Sequence, residues 1–349
     1  MPEPAFMTDT SEYATVPPTA SRRVRLGPSD QYELIEPIGE GAMGMVWRAR
    51  DTLLDIDVAI KVLRPELDTP WATQRLLAEA RAAARVRHRG TVHIYATGIT
   101  EESRGYIVME LLQGPSLEQV IDERGRLPVI EAVRLLLPIV SATGAAHLAG
   151  VVHRDIKPTN ILLAQNEGRG PVRPKLLDFG VAKLMHGRAL FEVEPGTVLG
   201  TPTYMSPEQA LGYDDVDGRC DVWALCAVLY EMVYGAPPFE ASSYTDLVHA
   251  ILTRDPQPLD IDRALWAVIE RGLAKEAEAR WVDAHALGRA LASWLLAAGY
   301  EHDVSHAAVR HSSMFPPESI PRERSSGWRI VDELDATVPS VRDHIPIAG

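Results

Sequence analysis

The sequence predicts an α+β fold of two lobes, a small antiparallel sheet carrying one helix followed by a larger helical lobe. Three observations carry that expectation. Between Tyr32 and Leu112, short β-prone runs (YELIEPIG, GMVWRAR, DVAIKVLR, TVHIYATG, YIVMEL) are interrupted by one alanine-rich helical stretch, Trp71 to Val86. From Ser116 to Ala298 the pattern turns helical (SLEQVIDERG, VIEAVRLLLPIVSATGAAHLAG, DVWALCAVLYEMVYG, HALGRALASWLLAAG), with Gly and Pro marking several ends. A chain of 349 residues that is 46% hydrophobic can fill both cores, which excludes disorder throughout.

Residues 1–30 are rich in Thr, Ser and Pro and lack periodicity, so they bury too little surface to offset ordering entropy and are expected to form a flexible N-terminal tail. Residues 300–349 return to a polar texture and are expected to form a flexible C-terminal tail. One folded domain is expected between them, 31–299, with lobes at 31–112 and 113–299. No repeat occurs at solenoid or propeller periods.

Charge and composition narrow the function. Against 48 Asp and Glu stand 35 Lys and Arg, a net charge of −13, which argues against a nucleic-acid partner. The tails carry −1 and −3, leaving −9 to the region between. Cys220 and Cys226 form no CxxC or Cys/His cluster suited to zinc, and a reducing cytoplasm is the expected location. No apolar run is expected to reach the roughly 18 residues of a membrane span, and the start MPEPAFMTDTSEY lacks the order of a signal peptide.

Four segments carry chemistry. Gly39-Glu40-Gly41-Ala42-Met43-Gly44 lies between two strand-like runs, so its glycines sit at a hairpin tip rather than opening a dinucleotide-binding helix. Such a tip either is an ordinary turn or folds over a polyphosphate and offers it backbone N–H groups. Lys61 lies inside the apolar run VAIKVL, and Glu79 shares a helical face with Leu76, Ala83 and Val86. A carboxylate on an apolar stripe needs a buried partner, and Lys61 is the available cation. That helix is expected to start at a cap at Asp68 or Thr69, with Pro70 in its first turn. His153-Arg154-Asp155-Ile156-Lys157-Pro158-Thr159-Asn160 packs polar groups between apolar runs, a loop held by strands and a usual place for catalytic groups. Asp178 follows another apolar run, and Asn160 and Asp178 are oxygen donors of the kind a hard cation prefers.

The order GEGAMGMV, VAIK, HRDIKPTN, DFG and SPE resembles the protein kinase family over about residues 31–299, and the HRDIKP and GTPTYMSPEQA segments are similar to the bacterial Hanks-type serine/threonine branch. The resemblance implies the bilobal kinase fold with ATP between the lobes. It implies that Ile38, Gly39, Glu40, Gly41, Ala42, Met43 and Gly44 cover the nucleotide, that Val46 and Ala59 sandwich adenine, and that Lys61 pairs with Glu79. Glu110 to Leu112 would be the hinge that reads adenine, with Met109 behind it. Asp155 would accept the substrate hydroxyl's proton, Lys157 would neutralise the transferred phosphoryl, and Asn160 and Asp178 would hold Mg2+, with Mn2+ as the alternative ion. An aspartate is a weak base near neutral pH, so its main task is expected to be orienting the hydroxyl. Glu208 would pair with Arg280, Asp221 would anchor the catalytic loop, and His153 and Phe179 would have packing roles.

The sequence departs from the family pattern in places. Ser206 stands for the usual Ala of APE and Cys226 for a Gly, changes expected to act on packing rather than chemistry. AQNEGRGPVRP looks like an enlarged hairpin tip. In the activation segment Thr197 follows Glu192 and Glu194, and Thr201 fits the threonine near the substrate hydroxyl. Arg154 needs an anionic partner, either phospho-Thr197 or one of those glutamates. Thr15, Thr197 and Thr337 each precede Val after a small residue, which suggests autophosphorylation and a phosphothreonine-reading partner at the tails; coincidence in Thr/Pro-rich tails is the competing explanation. The expected activity is ATP- and Mg2+-dependent phosphorylation of Ser and Thr in protein substrates, in bacterial signal transduction. The rivals are a kinase-like scaffold with little catalysis and a small-molecule phosphotransferase. With the chain ending at Gly349 in a polar tail, input is expected through a partner, a small ligand or the tails.

Overall fold

β-Branched and aromatic residues at alternate positions make the first lobe a sheet. The computed structural model describes residues 24–41, 44–64, 69–166, 169–178, 202–213 and 215–311, without the side chains of Trp71, Arg75, Glu79, Ala82, Asn166, Arg169 and His311. Six strands, β1 (Arg25–Leu26), β2 (Tyr32–Glu40), β3 (Gly44–Asp51), β4 (Ile56–Leu63), β5 (Ile94–Ile99) and β6 (Gly105–Glu110), pair antiparallel in the order β1-β2-β3-β4-β6-β5. The pleat divides β4 between two faces. Val58, Ile60 and Val62 join Leu34, Ala49, Tyr106 and Val108 in one apolar cluster. Ala59, Lys61 and Leu63 point the other way, where Leu63 packs with Leu76 and Ala80 of helix α1 (Pro70–Ala83). Thr69 caps α1, its Oγ1 accepting the Ala72 N–H at 3.1 Å, which selects the second of the two expected caps.

The second lobe holds α2 (Leu117–Arg124), α3 (Val129–Leu148), the hairpin of β7 (Ile161–Asn166) and β8 (Arg169–Leu176), and then α4 (Pro207–Ala210), α5 (Arg219–Tyr234), α6 (Tyr244–Thr253), α7 (Arg263–Gly272) and α8 (Ala284–Ala297). Helix α5 is apolar all round and buried from Cys220 through Tyr230, as a central core helix must be. Helices α3 and α8 pack against it and each other. Arg280 is 1% exposed, and its five N–H donors meet five acceptors: both Glu208 oxygens at 2.8 Å and the carbonyls of Ala274, Lys275 and Arg219. Complete pairing is the condition under which a guanidinium tolerates such burial.

Three expectations are corrected. The folded unit begins before residue 31, because Arg25 and Leu26 pair with Glu33 and Tyr32 and Leu26 enters the apolar cluster of the sheet. It continues past residue 299, because Val309 is 2% exposed in the helical core and Asp303 is 5% exposed. Both segments were too short and polar to show periodicity, yet each is held by contacts with residues distant in sequence. Thirdly, α3 does have the length and mean hydropathy, 1.6, of a membrane span, and 72% of that window is buried inside the lobe, so its apolar character is that of a core helix.

Cys226 has a counterpart that explains its size. A Cβ on Gly272 of α7 would lie 2.1 Å from Cys226 Sγ, so the absent side chain makes room for the thiol, whose pKa burial pushes up to about 12. Gly272→Ala is expected to lower the unfolding free energy by about 1–3 kcal/mol through overpacking. Adding Cys226→Ala should recover part of that loss, which denaturant titration of the single and double variants checks.

Candidate active site

The catalytic loop is organised from below by a buried carboxylate. Asp221, 1% exposed in the first turn of α5, accepts the His153 N–H and His147 Nε2–H on Oδ2, both at 2.8 Å, and the Arg154 N–H on Oδ1 at 2.7 Å. These bonds hold Arg154 at φ +64, a conformation costly for a residue with a Cβ. Burial pushes the Asp221 pKa up, but the His147 hydrogen bond and nearby histidines outweigh it and keep the carboxyl below its ordinary range. His153, fully buried, donates Nε2–H to the Leu177 carbonyl at 2.8 Å and accepts the Asp155 N–H on Nδ1 at 3.3 Å, which sets its tautomer. Gln209 of α4 donates to the Arg154 carbonyl at 2.9 Å and tethers the loop from its other side. The loop follows the end of α3 and leads through a short helical turn into β7, so it has a strand on one side only, contrary to the expectation of two.

Above this base the acidic and basic groups converge. Lys157 Nζ lies 3.1 Å from Asp155 Oδ2, and Asn160 Nδ2 donates to the same oxygen at 3.1 Å and to the Asp155 carbonyl at 2.8 Å. Asn160 thereby spends its amide on the loop and keeps its carbonyl oxygen as a donor for a cation. Lys61 is 7% exposed and its ammonium lies 2.7 Å from Asp178 Oδ2. Burial raises the Asp178 pKa, yet Lys61 more than offsets it and holds the carboxylate ionised below its usual range. An ionised carboxylate and a free amide oxygen are a donor set that fits a hard divalent ion with polyphosphate oxygens completing its shell.

Between the lobes a cleft of about 480 Å³ opens onto Asp178. Ile38, Gly39, Val46, Ala59, Met109, Glu110 and Leu112 of the expected nucleotide site line it. Glu40 and Gly41 lie at the hairpin tip, where Arg64 donates to the Gly41 carbonyl at 3.0 Å and to Glu40 Oε1 at 2.8 Å. Gly44 allows the hairpin to close on β4, since a Cβ there would lie 2.2 Å from the Val62 carbonyl oxygen.

Several lining residues were not singled out in the sequence. Leu162 and Leu177 join the apolar wall, and their signal was the apolar runs flanking the loop. Glu110 is held by Lys175 at 2.7 Å and by the His93 N–H at 2.8 Å. A pairing across that many residues leaves no local pattern.

Ala42, Met43, Phe179, Glu192, Glu194, Thr197 and Thr201 lie outside the described residues, as do Thr15 and Thr337 and the side chain of Glu79, so the Lys61–Glu79 pair is not described. Arg154 gives Nη2 to the Val216 carbonyl at 3.1 Å, while its buried Nε has no hydrogen-bond partner among the described residues. Ser206 is fully buried at the start of α4, its N–H donating to Gln209 Oε1 at 3.2 Å. It therefore belongs to the same tether that holds Arg154.

Comparison with known proteins agrees with this geometry. The protein kinase domain family matches residues 32–296. The chain is 38% identical over 234 residues to the probable serine/threonine-protein kinase PknB of Corynebacterium glutamicum, covering 66% of this chain and 35% of that protein. It is 35% identical over 322 residues to the serine/threonine-protein kinase pkn3 of Myxococcus xanthus, covering 88% of this chain and 57% of that protein. The chain thus spans between about a third and three fifths of these relatives. The crystal structure of the Mycobacterium tuberculosis PknI kinase domain superposes with a TM-score of 0.61 at 26% identity, covering 81% of this chain and all of that one.

Asp221→Asn turns one acceptor oxygen into a donor facing N–H groups. It is expected to cost about 3 kcal/mol of unfolding free energy at pH 7. Because the folded carboxyl titrates below its unfolded value, its contribution is present above the ordinary carboxylate range and is lost as pH falls through the folded pKa. The stability difference between wild type and variant should therefore shrink as pH falls below the ordinary carboxylate range, which unfolding curves taken at decreasing pH check.

Proposed function

This chain belongs to the protein kinase family, in its bacterial Hanks-type serine/threonine branch, and from that premise we propose that it transfers the γ-phosphoryl group of ATP to Ser and Thr hydroxyls of protein substrates. The observation that carries the reading is the Asp155 carboxylate, fixed by Asn160 and beside the Lys157 ammonium, in a loop bonded through His153 and Asn160 to Leu177, next to the Asp178 that lines the cleft and meets Lys61. A scaffold needs none of these charges held at these distances.

The apolar walls from Ile38, Val46, Ala59 and Leu162 receive the adenine face, and the backbone of Glu110 to Leu112 reads its edge. Glu110 can serve there because its side chain is already spent on Lys175. Lys61 meets the phosphates, and its place deep on β4 keeps it desolvated and strongly attracting. Asp155 accepts a hydrogen bond from the substrate hydroxyl and aims its oxygen, which supplies orientation more than proton affinity. Lys157 balances charge on the transferred group, which leaves ATP and ends on the hydroxyl oxygen as that oxygen's proton departs through Asp155. A divalent ion, taken here as Mg2+ with Mn2+ as the alternative, would be held by Asn160 and Asp178 and supply positive charge to the polyphosphate.

The same reading places the enzyme in the cytoplasm, supported by two free buried cysteines and by the supply of ATP there. Thr197 is the proposed activating phosphorylation site and Arg154, whose Nε has no partner among the described residues, its proposed receiver. Thr201 would sit beside the substrate hydroxyl, and the threonines of the tails would recruit a phosphothreonine-reading partner.

Incubation of the chain with radiolabelled ATP, Mg2+ and a generic protein substrate tests the assignment. Asp155→Asn is expected to lower kcat by about 10²–10⁴-fold with little change in ATP affinity. Equal incorporation by wild type and variant would sink it. For the regulatory proposal, Thr197→Ala should reduce activity, and full activity in that variant would remove Thr197 from the scheme.

A further inference from the structure

The segment after α8 is built into the fold through a defect in α3. Pro138 has no N–H, so the Arg134 carbonyl four residues earlier lacks its helical donor. The Val304 N–H takes that place at 3.2 Å. Arg134 returns the contact, giving Nε to the His302 carbonyl at 2.9 Å and Nη2 to the Asp303 carbonyl at 3.2 Å. Ser305 Oγ donates to the Val172 carbonyl of β8 at 3.1 Å.

Asp303 is the pivot of this segment. Its Oδ1 accepts the N–H groups of Ser305 at 2.8 Å and Ala307 at 3.0 Å, in a turn completed by His306 at φ +61. Its Oδ2 meets Arg89 Nη2 at 2.8 Å, and among the described residues Asp303 is the only carboxylate within ion-pair distance of that guanidinium. Arg89 belongs to the connector between α1 and β5. The next residues of the connector grip the end of β8: Leu176 donates its N–H to the Gly90 carbonyl at 2.7 Å and accepts the Val92 N–H at 3.1 Å. Gly90 lies so close to α3 that a Cβ on it would be 2.8 Å from the Pro138 carbonyl oxygen. On its other side the same strand end is held by the catalytic loop, through the Leu177 N–H to the Asn160 carbonyl at 2.8 Å and His153 to the Leu177 carbonyl at 2.8 Å. Asp178 comes next.

We propose that Asp303 is a positioning residue for the reaction: by holding Arg89 it keeps the connector against Leu176 and so fixes where Asp178 presents its carboxylate. The proposal rests on Asp178 being a ligand of the nucleotide's cation, as in the proposed function. Asp221, through His153, anchors one side of the strand end that leads to Asp178, and Asp303, reached only after the last long helix, anchors the other through Arg89. Sequence beyond residue 299 is then part of the catalytic unit.

The test uses the full chain as wild type, Arg89→Ala, Arg89→Lys, Asp303→Asn and the Arg89→Ala/Asp303→Asn double variant. Calorimetric titration measures ADP binding with and without Mg2+, and thermal unfolding and steady-state kinetics run beside it. Arg89 is half exposed, so its alanine variant is expected to fold even if the Asp303 turn does not tolerate change. Metal-free ADP affinity should stay within about twofold, while the gain in affinity given by Mg2+ should fall about 2- to 30-fold in Arg89→Ala. Arg89→Lys should recover part of it, and the double variant should be no worse than Asp303→Asn. A lowered melting temperature with the Mg2+-dependent gain intact would reduce the pair to a structural clasp and overturn the proposal. If wild type shows that gain but transfers no phosphoryl group, the kinase reading fails while the Mg2+ titration still decides about Asp303. A wild type with no Mg2+-dependent gain overturns both.

Discussion

The catalytic loop depends on one carboxylate that water does not reach. Asp221 takes the N–H groups of His153 and Arg154 together with the ring N–H of His147, and a buried acid is stable only when its lone pairs are filled in this way. From that anchor the order passes outward. Arg154 is held at a positive φ, and the next residue, Asp155, has Lys157 and Asn160 around its carboxylate. His153 carries the constraint on to Leu177, and hence to Asp178. The cost of burying the acid is thus offset by backbone donors that the loop would otherwise leave unpaired.

The same logic recurs twice more in the fold. Glu208 is covered by Arg280, whose every N–H finds an acceptor, and Asp303 is covered by Arg89 and two backbone N–H groups. In each case an acid brings together segments far apart in the chain: α4 with the loop before α8, and the segment after α8 with the connector before β5. Short polar segments of this kind contribute little hydrophobic burial, so directional ionic contacts decide their place. In a chain with net charge −13, the ammonium groups of Lys61 and Lys157 both act on Asp178, so positive charge is gathered locally against the net charge.

Much of the candidate site was legible because its residues are close in sequence. His153 to Asn160 form one loop, and the two faces of β4 follow from strict alternation, which puts Ala59 and Lys61 opposite Val58, Ile60 and Val62. What could not be read were pairings across long separations, such as Lys175 with Glu110, Arg64 with the hairpin tip, and Gly272 with Cys226. The last shows why a substitution judged by size alone is incomplete: the thiol fits because a side chain on another helix is missing.

By itself the sequence determined the fold class and the family, since periodicity and closely spaced motifs are local properties that one stretch of chain carries alone. The tertiary structure decided that the folded unit reaches beyond residues 31–299 at both ends. Arg25 and Leu26 at one end and residues 300–311 at the other have no periodic pattern, and their order comes from a strand partner, an apolar cluster and a carbonyl that Pro138 left without a donor. It also decided the ion pairs that no motif marks, such as Arg89 with Asp303 and Lys175 with Glu110, because separation along the chain does not predict distance in space, whereas Glu208 with Arg280 was expected from the family resemblance.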